Sequence, residues 1–189
     1  GEKTGRLTVN ASRVVLSAGA IGTPRLLHHA GIASDLGPAV GKGLRVHPGS
    51  AVLGLCDSPV NMWTGATQGA YFHIPDLPGV LPHTFNSPPE VVVMSLMAAG
   101  MPAKEAMATL GRVCGIIVLV SDHGDGSVAA TSDGRAAIEY YFDDGDLERT
   151  KQGMIESARV MLAGGATTLF APVNGLGFYD SLDAFEAAL

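Results

Sequence analysis

Short runs of apolar and β-branched residues recur along the chain, and glycine or proline separates them from one another. Runs of this kind predict β-strands. We predict strands at residues 6–11, 13–17, 50–55, 69–74 and 91–96. The glycine-rich segment 34–49 is predicted to be a loop, and the five prolines between residues 75 and 89 argue against regular pairing over most of that segment.

Three later runs form the clearest β region of the sequence. They occupy residues 113–121, 127–131 and 136–142. Asp125-Gly126 and Asp133-Gly134 lie in the connections, and Asp-Gly pairs are typical of tight hairpin turns. The pattern therefore predicts an antiparallel meander.

The first predicted helix follows a glycine turn at residues 18–20. Thr23 offers a hydroxyl N-cap and Pro24 suits the first helical position, so we predict a helix over 25–30 that ends at Gly31. A glycine turn before a helix can bring backbone N–H groups close to a phosphate. Because the turn lacks the GxGxxG spacing of a dinucleotide site, the motif alone favours a plain strand-to-helix corner.

Three further helices are predicted from their caps and from the helical spacing of apolar residues. They run over residues 102–110, from Asp143 or Asp144 to Gly164, and over 180–189 with Asp180 or Ser181 as the cap. The last helix has no stop signal before Leu189, so we expect the sequence to be cut there.

Composition narrows the class of protein. The chain has 189 residues and a net charge of −6, with 47% hydrophobic and only 16% charged residues. An acidic balance without a Lys/Arg cluster argues against nucleic-acid binding. The longest apolar runs, 91–101 and 113–120, are shorter than the ~18–20 residues of a membrane span, so no transmembrane helix is expected. The low charge predicts apolar faces that another segment or subunit covers.

The two cysteines, Cys56 and Cys114, form no CxxC motif. This spacing gives no metal or redox pattern and favours a reducing compartment. We therefore expect a cytoplasmic location.

Residues 14–32, VVLSAGAIGTPRLLHHAGI, resemble the second signature of the glucose-methanol-choline (GMC) oxidoreductases, flavoenzymes that oxidise alcohols. The match departs at Ala30 and Ala33, where serine and glycine are usual. Residues 40–48 resemble the family segment VGxNLxxHP, with Gly43 in place of asparagine. Residues 120–153 resemble the branch that contains the long-chain alcohol oxidases and, more distantly, the cholesterol oxidases.

The resemblance implies an α+β fold with three parts. Residues 1–48 would be part of a FAD-binding α/β domain, with a strand pair and a helix. Residues 49–165 would form an antiparallel-sheet substrate domain with flanking helices, and residues 166–189 would return toward the FAD domain. Contacts to FAD are implied for Ser17, Ala18, Gly19, Ala20, Thr23, Leu44 and His47.

The same resemblance implies hydride transfer from the CH–OH group of an alcohol to the flavin. The family's GxGxxG turn and its histidine-bearing HPxGTxRMG-like stretch do not occur in the 189 residues, and no residue qualifies as the general base. We therefore expect a central fragment of such an enzyme, inactive alone, that needs its flanking segments or a complementary chain.

Two apolar groups are candidates for the substrate pocket of an apolar alcohol. The first comprises Trp63, Tyr71 and Phe72, with Met62; the second comprises Met94, Met97 and Met101. Core packing is the simpler explanation for both groups.

His123 with Asp122 and Asp125 has the residue types of a metal site, although a polar turn is the simpler explanation. A function from another class also stays open. The chain could be a non-catalytic truncated module that binds a ligand or another subunit.

Overall fold

The structure is a computed structural model that describes residue 5 and residues 7–189. Its elements are α1 (Gly19–His29), α2 (Ala33–Leu36), β1 (Lys42–Leu44), β2 (Gly49–Cys56), β3 (Val80–Thr84), α3 (Pro89–Ala98), α4 (Ala103–Thr109), β4 (Val113–Val120), β5 (Gly126–Ala130), β6 (Ala136–Glu139), α5 (Asp144–Ala163), β7 (Ala166–Phe170) and α6 (Leu182–Ala188). The architecture is α+β, as predicted. The chain divides into two compact units.

The first unit combines the described residues up to Leu44 with Asp125–Tyr141. Its described strands form an antiparallel sheet in the order β1-β5-β6. Helix α1 packs on β5 and β6, and Nη1 of Arg25 donates to the carbonyl oxygen of Gly134 over 2.7 Å. Gly134 has a φ of 79°, the left-handed conformation that the predicted Asp-Gly hairpin turn requires.

The second unit comprises Arg45–Gly124 and Phe142–Leu189. Its described strands form an antiparallel sheet in the order β3-β4-β2-β7. Helix α5 covers one face, where Val52, Val118 and Ala158 are fully buried. The helix approaches the sheet closely at Gly153, because a Cβ atom there would lie 2.6 Å from Cγ1 of Val118.

Helices α3 and α4 lie against part of the opposite face of this sheet. Leu53, Val113 and Phe170 of the strands pack there against Val92 and Leu96 of α3. Side chains alternate between the two faces along a strand, so Leu81, His83 and Leu119 project from this second face as well.

Several predicted elements lie where the sequence places them. These are β2, β4, α4, α5 and α6, with Asp143 and Ser181 as the side-chain N-caps of α5 and α6. Among the helices that the structure describes, none combines the length and apolar character needed to cross a bilayer.

The two strands predicted at the start of the chain do not form. Residues 7–11 and 13–18 are in no strand, and residue 6 lies outside the described residues. Val14 is 78% exposed and Val15 is 85% exposed. A strand forms only when a neighbour takes up its backbone hydrogen bonds, and no described segment pairs with these residues.

The strand predicted over 91–96 is wrong, because these residues belong to helix α3. Pro88 is the N-cap and Pro89 the first helical residue, a position that needs no backbone N–H. The buried residues Val92, Leu96 and Ala99 follow at spacings of four and three. The helical period therefore decides the structure over a run that is apolar at nearly every position.

The predictions for residues 69–89 need two corrections. The strand predicted over 69–74 is reduced to a single bridge between Tyr71 and His83. The proline-rich segment contains strand β3, which includes Pro82. Because β3 lies at the sheet edge, with β4 on one side and only the isolated bridge to Tyr71 described on the other, a residue without an N–H is tolerated there.

The predicted meander is also wrong in its topology. Strand β4 pairs with β2 and β3, whereas β5 pairs with β1 and β6. Of the two predicted hairpins, the one at Asp133-Gly134 forms and the one at Asp125-Gly126 does not. Strand β1, which lies in the segment predicted to be a loop, takes the place beside β5.

Candidate functional site

The turn into α1 brings together four of the residues implied to contact FAD. Ser17, Ala18, Gly19 and Ala20 are exposed, and Gly19 begins the helix with a φ of 75°. Apart from its chain neighbours and the backbone of its own helix, no described residue lies within 4 Å of the position that a Cβ atom of Gly19 would take. Glycine is therefore suited to this position by its backbone conformation, and the space beside it is open.

The predicted capping role of Thr23 is wrong, because α1 begins four residues before it and Ala18 holds the N-cap position. Thr23 lies inside the helix, and its Oγ1 accepts a hydrogen bond of 3.1 Å from the N–H of Ala18. Among the described residues, no side chain caps the helix N-terminus. Its first N–H groups therefore stay available to an anionic or hydroxyl oxygen of a ligand.

Leu44 and His47, the other two residues implied to contact FAD, are held by different means. Leu44 is half-buried in β1 opposite Gly126. His47 is exposed and has a φ of 50°. Its backbone is fixed by the buried carboxylate of Asp122, whose Oδ1 accepts from the N–H of His47 over 3.1 Å and whose Oδ2 accepts from Val46 over 3.3 Å.

A second carboxylate in the same unit, Asp146, is fully buried in the first turn of α5. Its Oδ2 accepts from the N–H of His123 over 2.7 Å and from that of Gly124 over 3.2 Å, and its Oδ1 accepts from Nη2 of Arg149. Burial alone would raise the pKa of Asp146, but hydrogen bonds from Arg149, His123 and Gly124 hold it well below its usual range.

Two of the three residues considered as a metal site, Asp122 and His123, are thus used in other contacts. Asp122 fixes the His47 loop and His123 contacts Asp146. In the part of the chain that the structure describes, no group of three or more His, Cys, Asp or Glu side chains is arranged to hold a metal ion.

A cavity of about 390 Å³ opens on the second face of the four-stranded sheet. It is lined by Gln68, Gly69, Ala70, Tyr71, Leu81, His83 and Leu119. None of these side chains carries a fixed charge, so the cavity suits a neutral and largely apolar ligand.

Of the three aromatic residues proposed to line a substrate pocket, the structure brings only Tyr71 to this cavity. Phe72 packs on the opposite side, against the core under α5. Trp63 is half-buried near Gly111. The adjacent residues Tyr71 and Phe72 separate because extended backbone sends successive side chains to opposite sides.

The methionines proposed as an aliphatic lining lie on or beside α3. Met94 is 68% exposed, Met97 is 47% exposed, and Met101 packs against the core between the sheet and α3. Core packing therefore explains Met101 but not Met94.

His83 also lines the cavity, and the sequence left a binding role for it open without a specific signal. It is 93% buried, since only 7% of its surface is exposed, and its Nδ1 lies 3.0 Å from the carbonyl oxygen of Thr84. The alternation of side chains along β3 could have indicated that His83 points to the same face as Leu81, while Val80 and Pro82 share the other face. The prolines around it concealed that strand.

Comparison with known proteins agrees with the resemblance seen in the sequence. Residues 1–49 match the family model described as GMC oxidoreductase. The chain is 28% identical to a Mycobacterium tuberculosis protein named as an uncharacterized GMC-type oxidoreductase, over 97% of this chain and 29% of that protein. It is 26% identical to a long-chain-alcohol oxidase of Arabidopsis thaliana, over 85% of this chain and 22% of that protein. The chain thus spans less than a third of the length of these relatives.

Proposed function

Because the chain fits a fragment of the GMC oxidoreductase family, we propose that the protein of which it is part oxidises the CH–OH group of an alcohol with FAD. The match over residues 1–49 carries this proposal. The family is generally FAD-binding. Bound FAD supplies the hydride acceptor.

The proposed cofactor contacts are supported by the local geometry of each unit. In the first unit, the exposed turn at Ser17, Ala18, Gly19 and Ala20 offers uncapped helix N–H groups to a phosphate or ribose oxygen. Thr23 fixes that turn through Ala18, and Leu44 supplies an apolar contact. In the second unit, His47 is the proposed contact, and Asp122 holds its backbone.

The proposed substrate is an apolar alcohol that binds in the cavity beside Tyr71. Its lining is mostly apolar and without fixed charge. Two Arabidopsis thaliana relatives are named long-chain-alcohol oxidases. Trp63 and Phe72 remain proposed substrate contacts from the sequence, although they lie away from this cavity.

The reaction also needs parts that the 189 residues do not contain. The sequence has no GxGxxG turn and no HPxGTxRMG-like stretch. We propose that flanking segments or a complementary chain supply them, that residues 1–48, 49–165 and 166–189 play the domain roles given above, and that the location is cytoplasmic.

The test is flavin binding and reduction in the complete polypeptide encoded around this sequence. The purified protein should show flavin absorbance that bleaches when octan-1-ol is added without oxygen. Gly19→Ala should lower the flavin content, because alanine strains a φ of 75° beside the proposed contact. Gly31→Ala is the matched control, since Gly31 has a φ of 73° at the other end of α1.

A folded but colourless complete polypeptide would refute the proposal. If that colourless protein bound octan-1-ol, the alternative of a non-catalytic ligand-binding module would replace it. The cavity favours this second candidate specifically, because its lining lies within the second unit alone.

A further inference from the structure

The cavity on the second face of the four-stranded sheet contains a histidine ring nitrogen that the described residues around it leave unused. Leu81 and Leu119 supply apolar walls, and Tyr71 stands at its side. His83 is 93% buried, since only 7% of its surface is exposed, and is the titratable side chain of the lining other than Tyr71.

The hydrogen bond of His83 fixes which ring nitrogen can accept. Its Nδ1 lies 3.0 Å from the carbonyl oxygen of Thr84. A carbonyl oxygen only accepts, so Nδ1 carries the proton and donates it. In the neutral ring the other nitrogen, Nε2, is then an acceptor without a proton.

No described residue uses that acceptor. The contacts of His83 in the described part of the chain include the Nδ1 hydrogen bond but none at Nε2. Nor do the described residues contain a sealed side-chain nitrogen or oxygen that lacks a partner. Nε2 is therefore open to the cavity that His83 lines.

We propose that Nε2 of His83 accepts a hydrogen bond from the hydroxyl group of a neutral aliphatic alcohol in this cavity. The alkyl chain of that ligand lies along Leu81, Leu119 and Tyr71. His83 is then the specificity-determining residue. Its Nε2 stabilises a bound ligand that donates a hydrogen bond, and it does not stabilise a ligand that can only accept one. The ligand's role as a substrate rests on the proposed function, whereas its binding does not.

The test compares two isomers, octan-1-ol and heptyl methyl ether, on the unmodified 189-residue chain. They contain the same atoms, but only the alcohol donates a hydrogen bond. We expect the alcohol to bind about five to ten times more tightly, as one buried hydrogen bond allows. In histidine labelled with ¹⁵N, the alcohol should shift the Nε2 resonance of His83 and the ether should leave it nearly unchanged.

Two variants locate the preference. His83→Phe keeps a ring of similar size without the acceptor, so it should bind both isomers with equal affinity. His29→Phe is the matched control at an exposed histidine of α1 and should keep the full preference. Circular dichroism establishes that both variants fold, and the isomer comparison on the unmodified chain stands even if one does not.

Equal affinity of the unmodified chain for the two isomers would overturn the proposal, as would a preference that survives in His83→Phe. None of these measurements involves flavin. An alcohol-selective cavity in a complete polypeptide that never binds FAD would refute only the proposed function, and flavin reduction without isomer preference would refute only the role of His83.

Discussion

Asp146 is a buried side chain of the second unit on which several hydrogen bonds depend. Its carboxylate is fully buried and accepts hydrogen bonds from three residues in two segments: Arg149 on its own helix, and the backbone of His123 and Gly124 after β4. The N–H of Asp146 in turn donates to Oδ1 of Asp143 over 2.6 Å, which caps α5. The carboxylate of Asp146 thus joins the first turn of the long helix to the segment after β4, while the carboxylate of Asp143 caps that helix.

We predict that Asp146→Ala lowers the free energy of unfolding by about 3 kcal/mol, because it leaves Arg149 and two buried N–H groups without their partner. Asp144→Ala, at an exposed position in the same helical turn, should change it by less than about 0.5 kcal/mol. Urea denaturation measures both. The double variant Asp146→Ala, Arg149→Met should recover part of the loss, and a loss that stays unchanged would contradict the charge-pair explanation.

The same carboxylate sets a pH dependence. Since the pKa of Asp146 is lower in the folded chain than in the unfolded chain, its stabilising effect is complete above roughly pH 4 and is lost as the pH falls further. The acid transition of Asp146→Asn should therefore be less steep than that of the unmodified protein. An identical acid transition in the two proteins would rule out this source of the dependence.

The raised pKa of Cys114 makes the stability of the folded chain depend on pH in the alkaline range. Burial and the neighbouring Cys56 thiol, whose Sγ lies 3.6 Å away, raise the pKa of Cys114 from 9.0 to about 12. The folded chain therefore keeps a proton that the unfolded chain releases, and stability falls as the pH rises between these values.

We expect Cys114→Ala to flatten the loss of unfolding free energy between pH 9.0 and about 12. Cys56→Ala should keep most of the slope, because burial is the largest cause of the raised pKa. Denaturation at a series of pH values checks this, and equal slopes in the unmodified and Cys114→Ala proteins would contradict it.

Among the elements, helix α5 depends on the absence of a side chain at Gly153. A Cβ atom there would lie 2.6 Å from Cγ1 of Val118 and 2.8 Å from Cγ1 of Val80, and valine side chains are stiff. The helix and the sheet would have to move apart.

We predict that Gly153→Ala costs about 1–2 kcal/mol, since overpacking outweighs the gain in helix propensity of about 1 kcal/mol. Gln152→Ala, on the exposed side of the same helix, is the control and should be nearly neutral. Thermal unfolding followed by circular dichroism measures the difference. A stabilised Gly153→Ala protein would show that the contact is looser than described.

The sequence predicted elements whose signals are local. Asp143 and Ser181 cap their helices, and the buried positions of α5 recur at helical spacing, so both helices follow from a few adjacent residues. Strand pairing is decided at a distance. Nothing near Gly126 indicates that β5 pairs with Lys42–Leu44, and nothing near Val14 indicates that its run lacks a neighbour.

The features of the candidate site that depend on adjacent residues were also predictable from the sequence, and the others were not. The glycine turn before α1 follows from residues 18–20 and their resemblance to a known motif. The open Nε2 of His83 depends on tertiary structure, because it requires both the carbonyl of Thr84 and the cavity formed with Leu119. Such a feature has no signal in residues that are adjacent along the chain.

At the scale of the molecule, the low content of charged residues is accompanied by exposed apolar side chains near the start of the chain. Leu7, Val9, Val14 and Val15 are all more than 70% exposed. Exposed apolar side chains concentrated in one segment favour association with other chains. We therefore expect the isolated 189-residue chain to self-associate.

The double variant Val14→Ser, Val15→Ser should reduce that association, as measured by light scattering over a concentration series. Its free energy of unfolding should stay within about 0.5 kcal/mol of the original, because exposed side chains are lost. Val91→Ser, at a single exposed position of α3, is the control and should have a smaller effect. A chain that stays monomeric at high concentration without any substitution would contradict the expectation.

The β5–β6 hairpin belongs to the first unit although it follows most of the second unit in sequence, and this affects the order of folding. Strand β1 pairs with β5. During synthesis this pairing cannot form until all of Arg45–Gly124, which lies between the two segments of the first unit, has left the ribosome. Such a non-local pairing delays closure of the sheet. Truncation after Leu44 would remove β5 and β6 together, and would destroy the first unit instead of isolating it.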